Sequence, residues 1–143
     1  MNETGFRIIE ELPSADFIFD AFGENLEELF SNCAKACFFA MTDSDGVEPS
    51  SDFHFEVEGE TSDDLLYSFI SELIFLKDSE SIFLSEFDIE IDKAGKSLKA
   101  VVRGEKIDYN KHVIKTDVKA ATYHDLHIRD DNGRFMVRMI LDL

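Results

Sequence analysis

Residues 16–41 read DFIFDAFGENLEELFSNCAKACFFAM, and the fold class turns on the place where their periodicity changes. From Asp16 to Phe22 the chain alternates, with Phe17, Phe19 and Ala21 on one side and Asp16, Ile18 and Asp20 on the other, which predicts a strand. Gly23 ends it. Asn25 can accept from the free N–H groups of a following helical turn, and Glu28 stands at the reciprocal capping position. Leu26, Leu29, Phe30, Cys33, Ala34, Cys37, Phe38 and Met41 then recur at spacings of three and four, so a helix is expected from Leu26 to about Met41.

The pattern repeats outward. Phe53–Glu58 alternates as a strand with one wet face, and Thr61 is placed to cap a second amphipathic helix carrying Leu65, Leu66, Phe69, Ile70, Leu73 and Leu76, ending near Lys77. Ile82–Asp92 is the next expected strand, and a turn at Ala94-Gly95 returns the chain through Leu98, Ala100 and Val102 as a hairpin that Gly104 interrupts. Upstream, Phe6–Leu12 is a short strand broken by Pro13. Downstream, the small-residue stretch Asp117–Ile128 is expected to pair with the last strand, Arg134–Leu143, through the turn signal Asp130-Asp131-Asn132-Gly133. The expected class is α+β: a mainly antiparallel sheet with two amphipathic helices on one face, in one domain spanning residues 1–143.

Charge narrows the partners. The chain holds 31 acidic and 14 basic side chains, net −17, which disfavours direct high-affinity binding to nucleic acid and suits a basic protein partner, divalent cations or simple solubility. No apolar run approaches a membrane span and the first residues lack a signal core, so a cytoplasmic protein with no membrane contact is expected. Cys33 and Cys37, the only two cysteines, fall on the apolar helical face, where packing is the usual role.

No phosphate-binding loop, nucleophile elbow or His-Glu-x-x-His pattern occurs, and the four histidines are scattered, so no catalytic centre is expected. His54 and His112 read as exposed. Asp43-Ser44-Asp45-Gly46 lacks the spaced ligands of a calcium loop and reads as an acidic turn. One arrangement does suggest an ion site. Asp16 opens a strand and Asp142 ends the last one beside Leu143 and its carboxylate. If those strand ends meet, three anionic groups converge and call for a cation with a preference for hard oxygen ligands. If they do not meet, each is simply a solvated strand end.

Several segments together carry a family resemblance: Ser14-Ala15-Asp16, Ala21-Phe22-Gly23, Leu26-Glu27-Glu28-Leu29-Phe30, Met41-Thr42-Asp43 with Val47-Glu48-Pro49, Leu73-Ile74-Phe75, Gly104-Glu105, Val118-Lys119-Ala120-Ala121-Thr122-Tyr123-His124 and Ile140-Leu141-Asp142-Leu143. Over nearly its whole length the chain resembles archease, the small partner of the tRNA-splicing RNA ligase. The resemblance implies an α+β fold with one strand–helix–strand–strand module inserted in another, and a protein with no catalysis of its own. It implies an accessory factor that promotes guanylylation of the ligase, permits multiple turnovers and broadens nucleotide use. It further implies a divalent cation, calcium, held at Asp16, Asp142 and Leu143. Lys119, Thr122, His124 and Asp43 are the candidate partner contacts. The chain departs from the family's His-Thr-Ala-Asp by having Pro13 in place of the His, which removes any contact that ring would make, and has Phe22 where Trp is frequent. Two other readings stand beside this one: an acidic binding or chaperone-like module for other RNA-processing enzymes, and a small metal-dependent phosphoesterase.

Overall fold

The structure, a computed structural model, describes residues 5–9 and 16–143. Its elements in order are β1 (Phe6–Ile8), β2 (Asp16–Gly23), α1 (Leu26–Phe39), β3 (Ser51–Glu58), α2 (Ser62–Glu80), β4 (Ile82–Ile91), β5 (Ser97–Lys106), β6 (Ala120–Ala121), β7 (Arg129–Asp131) and β8 (Arg134–Asp142). The continuation of the first strand to Leu12 and the motif residues Pro13, Ser14 and Ala15 lie outside the described residues.

The α+β class and the antiparallel pairing hold, but the strands divide between two sheets. One runs β1-β2-β8-β6 with β7 also on β8, and the other runs β3-β5-β4. Both helix starts form as their caps require: Asn25 Oδ1 accepts from the Glu28 N–H at 2.8 Å and Thr61 Oγ1 from the Asp64 N–H at 3.1 Å. Glu28 reaches back to the N–H of Glu24 rather than to the cap residue itself. α1 packs on β2 and β8 of the first sheet and on β4 of the second, while α2 packs on β3, β4 and β5 and touches β6. Phe19, Ala21, Val137, Met139 and Leu141 from the first sheet and Leu84, Leu98 and Val102 from the second join the helices in one buried cluster.

Gly104 does not interrupt β5, which continues to Lys106. The irregularity is in its neighbour, a register shift between Leu84 and Glu86, and a Cβ at position 104 would fall 1.8 Å from the Phe83 carbonyl oxygen. Glycine is there because the bulged backbone of β4 presses on it.

The Asp117–Ile128 segment is a strand over Ala120–Ala121 only. The Lys119 N–H donates to the Asp142 carbonyl (2.8 Å), and both the N–H and Oγ1 of Thr122 donate to the Ile140 carbonyl (3.2 and 2.9 Å). The Leu126 N–H then turns back onto the Tyr123 carbonyl, with Asp125 in the left-handed region at φ 55°, and the strand cannot continue. Chain direction recovers at the β7–β8 hairpin, where Asn132 and Gly133 have φ 54° and 86°, the positive pair that a tight two-residue turn needs.

Candidate functional site

β2 and β8 run antiparallel in an unbroken register: Asp16 faces Asp142, Ile18 faces Ile140, and Asp20 faces Arg138. Residues directly opposite share a face of the sheet, with Cβ atoms roughly 4.5–5.5 Å apart. The two carboxylates that were 126 positions apart in the chain therefore stand side by side at one end of the first sheet. On the far side of Asp142 its partner is Ala120, whose methyl brings neither charge nor bulk to that face. Asp16, Asp142 and Ala120 are exposed, and Leu143 is half-buried next to Asp142. Among the described residues Asp142 makes no ion pair, and no three His, Cys, Asp or Glu side chains are grouped to hold a metal. Among the described residues, the main-chain oxygens of Leu143, next to Asp142, are a further donor available at this end. The donor set offered is all oxygen, which fits calcium or magnesium and not a soft metal.

Four positions along the sheet, the chemistry reverses. Asp20 is fully buried, yet Arg138 holds it with two bonds (2.7 and 3.2 Å) and Arg7 with a third (2.9 Å). Burial acts to raise its pKa, and the hydrogen bonds and charges of the two guanidiniums outweigh that, leaving it below the ordinary carboxylate value. This row fixes the β1-β2-β8 register and hence the Asp16–Asp142 pairing.

The segment carrying Ala120 is tied down along α2. At the C-terminal end of that helix, Lys77 is buried and its ammonium donates to Asp78 (2.6 Å), Asp117 (2.7 Å) and the Val118 carbonyl (3.0 Å). Burial acts to lower its pKa, but the carboxylates of Asp117 and Asp78 more than reverse this. At the N-terminal end, the Tyr123 hydroxyl donates to Asp64 (2.8 Å) and its ring stacks on Tyr67 at 4.1 Å. Burial and then the Asp64 bond push the Tyr123 phenol up to about 12. Asp63 takes the Ile128 N–H at 2.9 Å and lies 3.1 Å from His127.

The other candidates fall as follows. Thr122 spends its hydroxyl on β8, a holding role. His124 is exposed and lies 3.3 Å from Asp125. The backbone of Lys119 pairs with Asp142, while the residue itself is exposed. Asp43 is remote from this end in its bonding: it caps the short 3-10 turn Ser44–Gly46 by accepting from Asp45. Cys33 and Cys37 are wholly buried, and burial pushes both thiols up, Cys37 to about 12, so neither is a nucleophile at neutral pH.

His112 is buried, contrary to the exposed position expected for it. Its Nδ1 accepts the Asp108 N–H (2.9 Å), so the ring proton sits on Nε2, 2.9 Å from Glu105. Glu105 also accepts from the Glu48 N–H (2.8 Å) and from Lys111, and these donors, Glu48 first, hold its carboxyl at about 2. Lys77, Asp20 and Glu105 escaped sequence reading because each has a partner far along the chain: Asp117 for Lys77, Arg138 for Asp20 and Glu48 for Glu105. The one available signal was a charge in an apolar setting, Asp20 between Phe19 and Ala21.

Residues 6–143 match the family model described as Archease protein family (MTH1598/TM1083). The chain is 41% identical over 133 residues to protein archease of Thermococcus gammatolerans and 39% identical over 132 residues to that of Methanothermobacter thermautotrophicus, covering 91% of this chain and 94% of the relative in both cases. The solution structure of Methanobacterium thermoautotrophicum protein 1598 superimposes with a TM-score of 0.83 at 36% identity, covering 97% of this chain and 99% of that one. The crystal structure of an archease, possible chaperone, from Thermotoga maritima shares the fold at a TM-score of 0.66 and 20% identity, covering 94% and 98%. With this match running through both sheets and both helices, the chain belongs to the archease family.

Proposed function

We propose that this protein is a non-catalytic accessory factor of the tRNA-splicing RNA ligase, and that it works through a divalent cation, calcium, held at the Asp16–Asp142 end of the first sheet. The observation that carries the reading is the direct cross-strand pairing of Asp16 with Asp142. Two like charges placed opposite each other on a sheet are destabilising, and a cation bound between them would offset that repulsion. Asp16 and Asp142 would hold the ion through their carboxylates and Leu143 through its main-chain oxygens, with water completing the shell. The bound ion would supply a concentrated positive charge at the tip of an otherwise acidic molecule. The chain's own part is to keep the two carboxylates in register through the Arg7–Asp20–Arg138 row, and to keep Ala120 beside them through the ties along α2. The chain's net charge of −17 favours docking on the basic mouth of an enzyme that handles RNA. Lys119, whose backbone pairs with Asp142, and the exposed His124 further along the same segment are the proposed partner contacts. Asp43, at the 3-10 turn, would serve only a wider interface.

The test is guanylylation of the cognate ligase with and without this protein, and with Asp16→Ala or Asp142→Ala. Stimulation by the wild type and its loss in both variants is the expected result. Undiminished stimulation by both variants would remove the ion from the mechanism. Phosphoester hydrolysis by the protein alone would favour the phosphoesterase reading instead.

A further inference from the structure

A groove of about 420 Å³ lies where the chain leaves α2 and where residues 107–117 cross it. Its floor is apolar and buried, with Met41 and Phe83 at 2% and 4% exposure. Two large apolar side chains stand out of it into solvent, Tyr109 at 77% and Ile114 at 48% exposure. The segment that carries them is pinned along its length. The Ile107 N–H donates to the Ser81 carbonyl (2.9 Å), and Thr42 Oγ1 donates to the Val113 carbonyl (2.7 Å). The Lys115 and Thr116 N–H groups donate to the Met41 and Ala40 carbonyls (3.0 and 3.2 Å), and His112 ties the middle to Glu105. The backbone that presents Tyr109 and Ile114 is thus already ordered, and a ligand would not have to order it.

The rim decides the ligand. Asp78 and Asp117 line the groove with exposed carboxylates, and the only cation among its lining residues, Lys77, is buried and shared between them. The trio carries net −1. A second copy of this chain, at −17, would be repelled, and so would a nucleic acid. The groove is also close along the chain to the proposed ion-binding end: Asp117 lines it, and Ala120, three residues on, faces Asp142. Three residues of extended chain span roughly 10 Å.

We propose that this groove is a second anchor for the partner protein, receiving an apolar side chain flanked by Lys or Arg from a segment of that partner. The inference rests on the reading of the chain as a ligase accessory factor and says where, beyond the carboxylate tip, the ligase is gripped. The experiment is calorimetric binding of the purified cognate ligase to wild type, Ile114→Asp, Tyr109→Ala and the control His54→Ala, on the exposed face of the second sheet. Because all three side chains are exposed, the variants should melt like the wild type, which circular dichroism checks. Ile114→Asp should weaken binding about tenfold or more and Tyr109→Ala severalfold, with His54→Ala unchanged and wild-type affinity falling as salt rises. Wild-type binding that Ile114→Asp and Tyr109→Ala leave intact would overturn the groove alone. Affinity insensitive to salt would overturn its basic occupant. A wild-type protein that does not bind the ligase would overturn the functional reading, and this inference with it.

Discussion

Replacing Lys77 by Met separates the lysine's charge from its packing. The Lys77 side chain is 4% exposed and its ammonium makes three bonds, but their worth differs. Asp78 and Asp117 have side chains 59% and 68% exposed, so both rehydrate when the lysine is lost, and exposed pairs of this kind contribute about 0–1 kcal/mol each. The Val118 carbonyl is in a residue with no exposure and would lose its Lys77 donor, at a cost of about 1–3 kcal/mol. Methionine fills similar space and no longer has an ammonium to desolvate, which offsets part of the loss. The net destabilisation expected is about 1–3 kcal/mol, a fall in Tm of roughly 3–9 °C for a chain of this size. The sign of the pH dependence follows from the raised pKa of Lys77. Its contribution is complete below the ordinary lysine value and is lost as pH rises through the higher folded value, so the gap between wild type and variant should close in strong alkali. Thermal unfolding measures the first effect, and amide exchange at Val118–Ala121 should speed up as the segment loosens. An unchanged Tm together with unchanged exchange at these four residues would refute the argument that Lys77 holds this segment in place.

Asp20→Asn keeps the shape of the buried side chain but removes the charge between Arg7 and Arg138, and should cost about 1–3 kcal/mol in urea unfolding at neutral pH. Because the folded pKa of Asp20 is lowered, its contribution exists above the ordinary carboxylate value and disappears as pH falls through the lower one. The wild-type advantage should therefore shrink in acid, and an advantage independent of pH would contradict the ion-pair account. Gly104→Ala puts a Cβ 1.8 Å from the Phe83 carbonyl oxygen and should cost about 3 kcal/mol or prevent folding, whereas Gly46→Ala, with nothing within 4 Å, should be near neutral. Equal urea midpoints for these two variants would show that the bulge yields easily. In an ultraviolet titration, one of the three tyrosines should ionise only near pH 12, and Tyr123→Phe should abolish that last step.

Local periodicity and capping were legible in the sequence, and the structure keeps them: the alternation of Asp16–Phe22, the Asn25 and Thr61 caps, and the Asn132-Gly133 turn. Each of these is decided by residues within a few positions of one another. The division into two sheets was not legible, because alternation tells which side of a strand is buried but not which sheet it joins. The Asp117–Ile128 segment misled for a related reason. Its small residues satisfy a strand pattern, yet only Ala120–Ala121 lie against the free end of β8, and beyond Thr122 no partner strand continues the ladder. The pairing of Asp16 with Asp142 was legible only as a conditional, since it needs two ends of the chain to become neighbours. Lys77 looked like the last residue of a helix, and nothing nearby announced that its acceptors, Asp117 and Val118, lie forty residues on.

The most direct test of the account is a calorimetric calcium titration of the wild-type protein beside Asp142→Asn, an exposed and nearly isosteric change that leaves the β2–β8 register undisturbed. The account predicts one calcium per chain for the wild type and at least a tenfold loss of affinity in the variant. A wild-type protein that takes up no calcium, or a variant that binds it equally well, would contradict the claim that the paired carboxylates hold a cation.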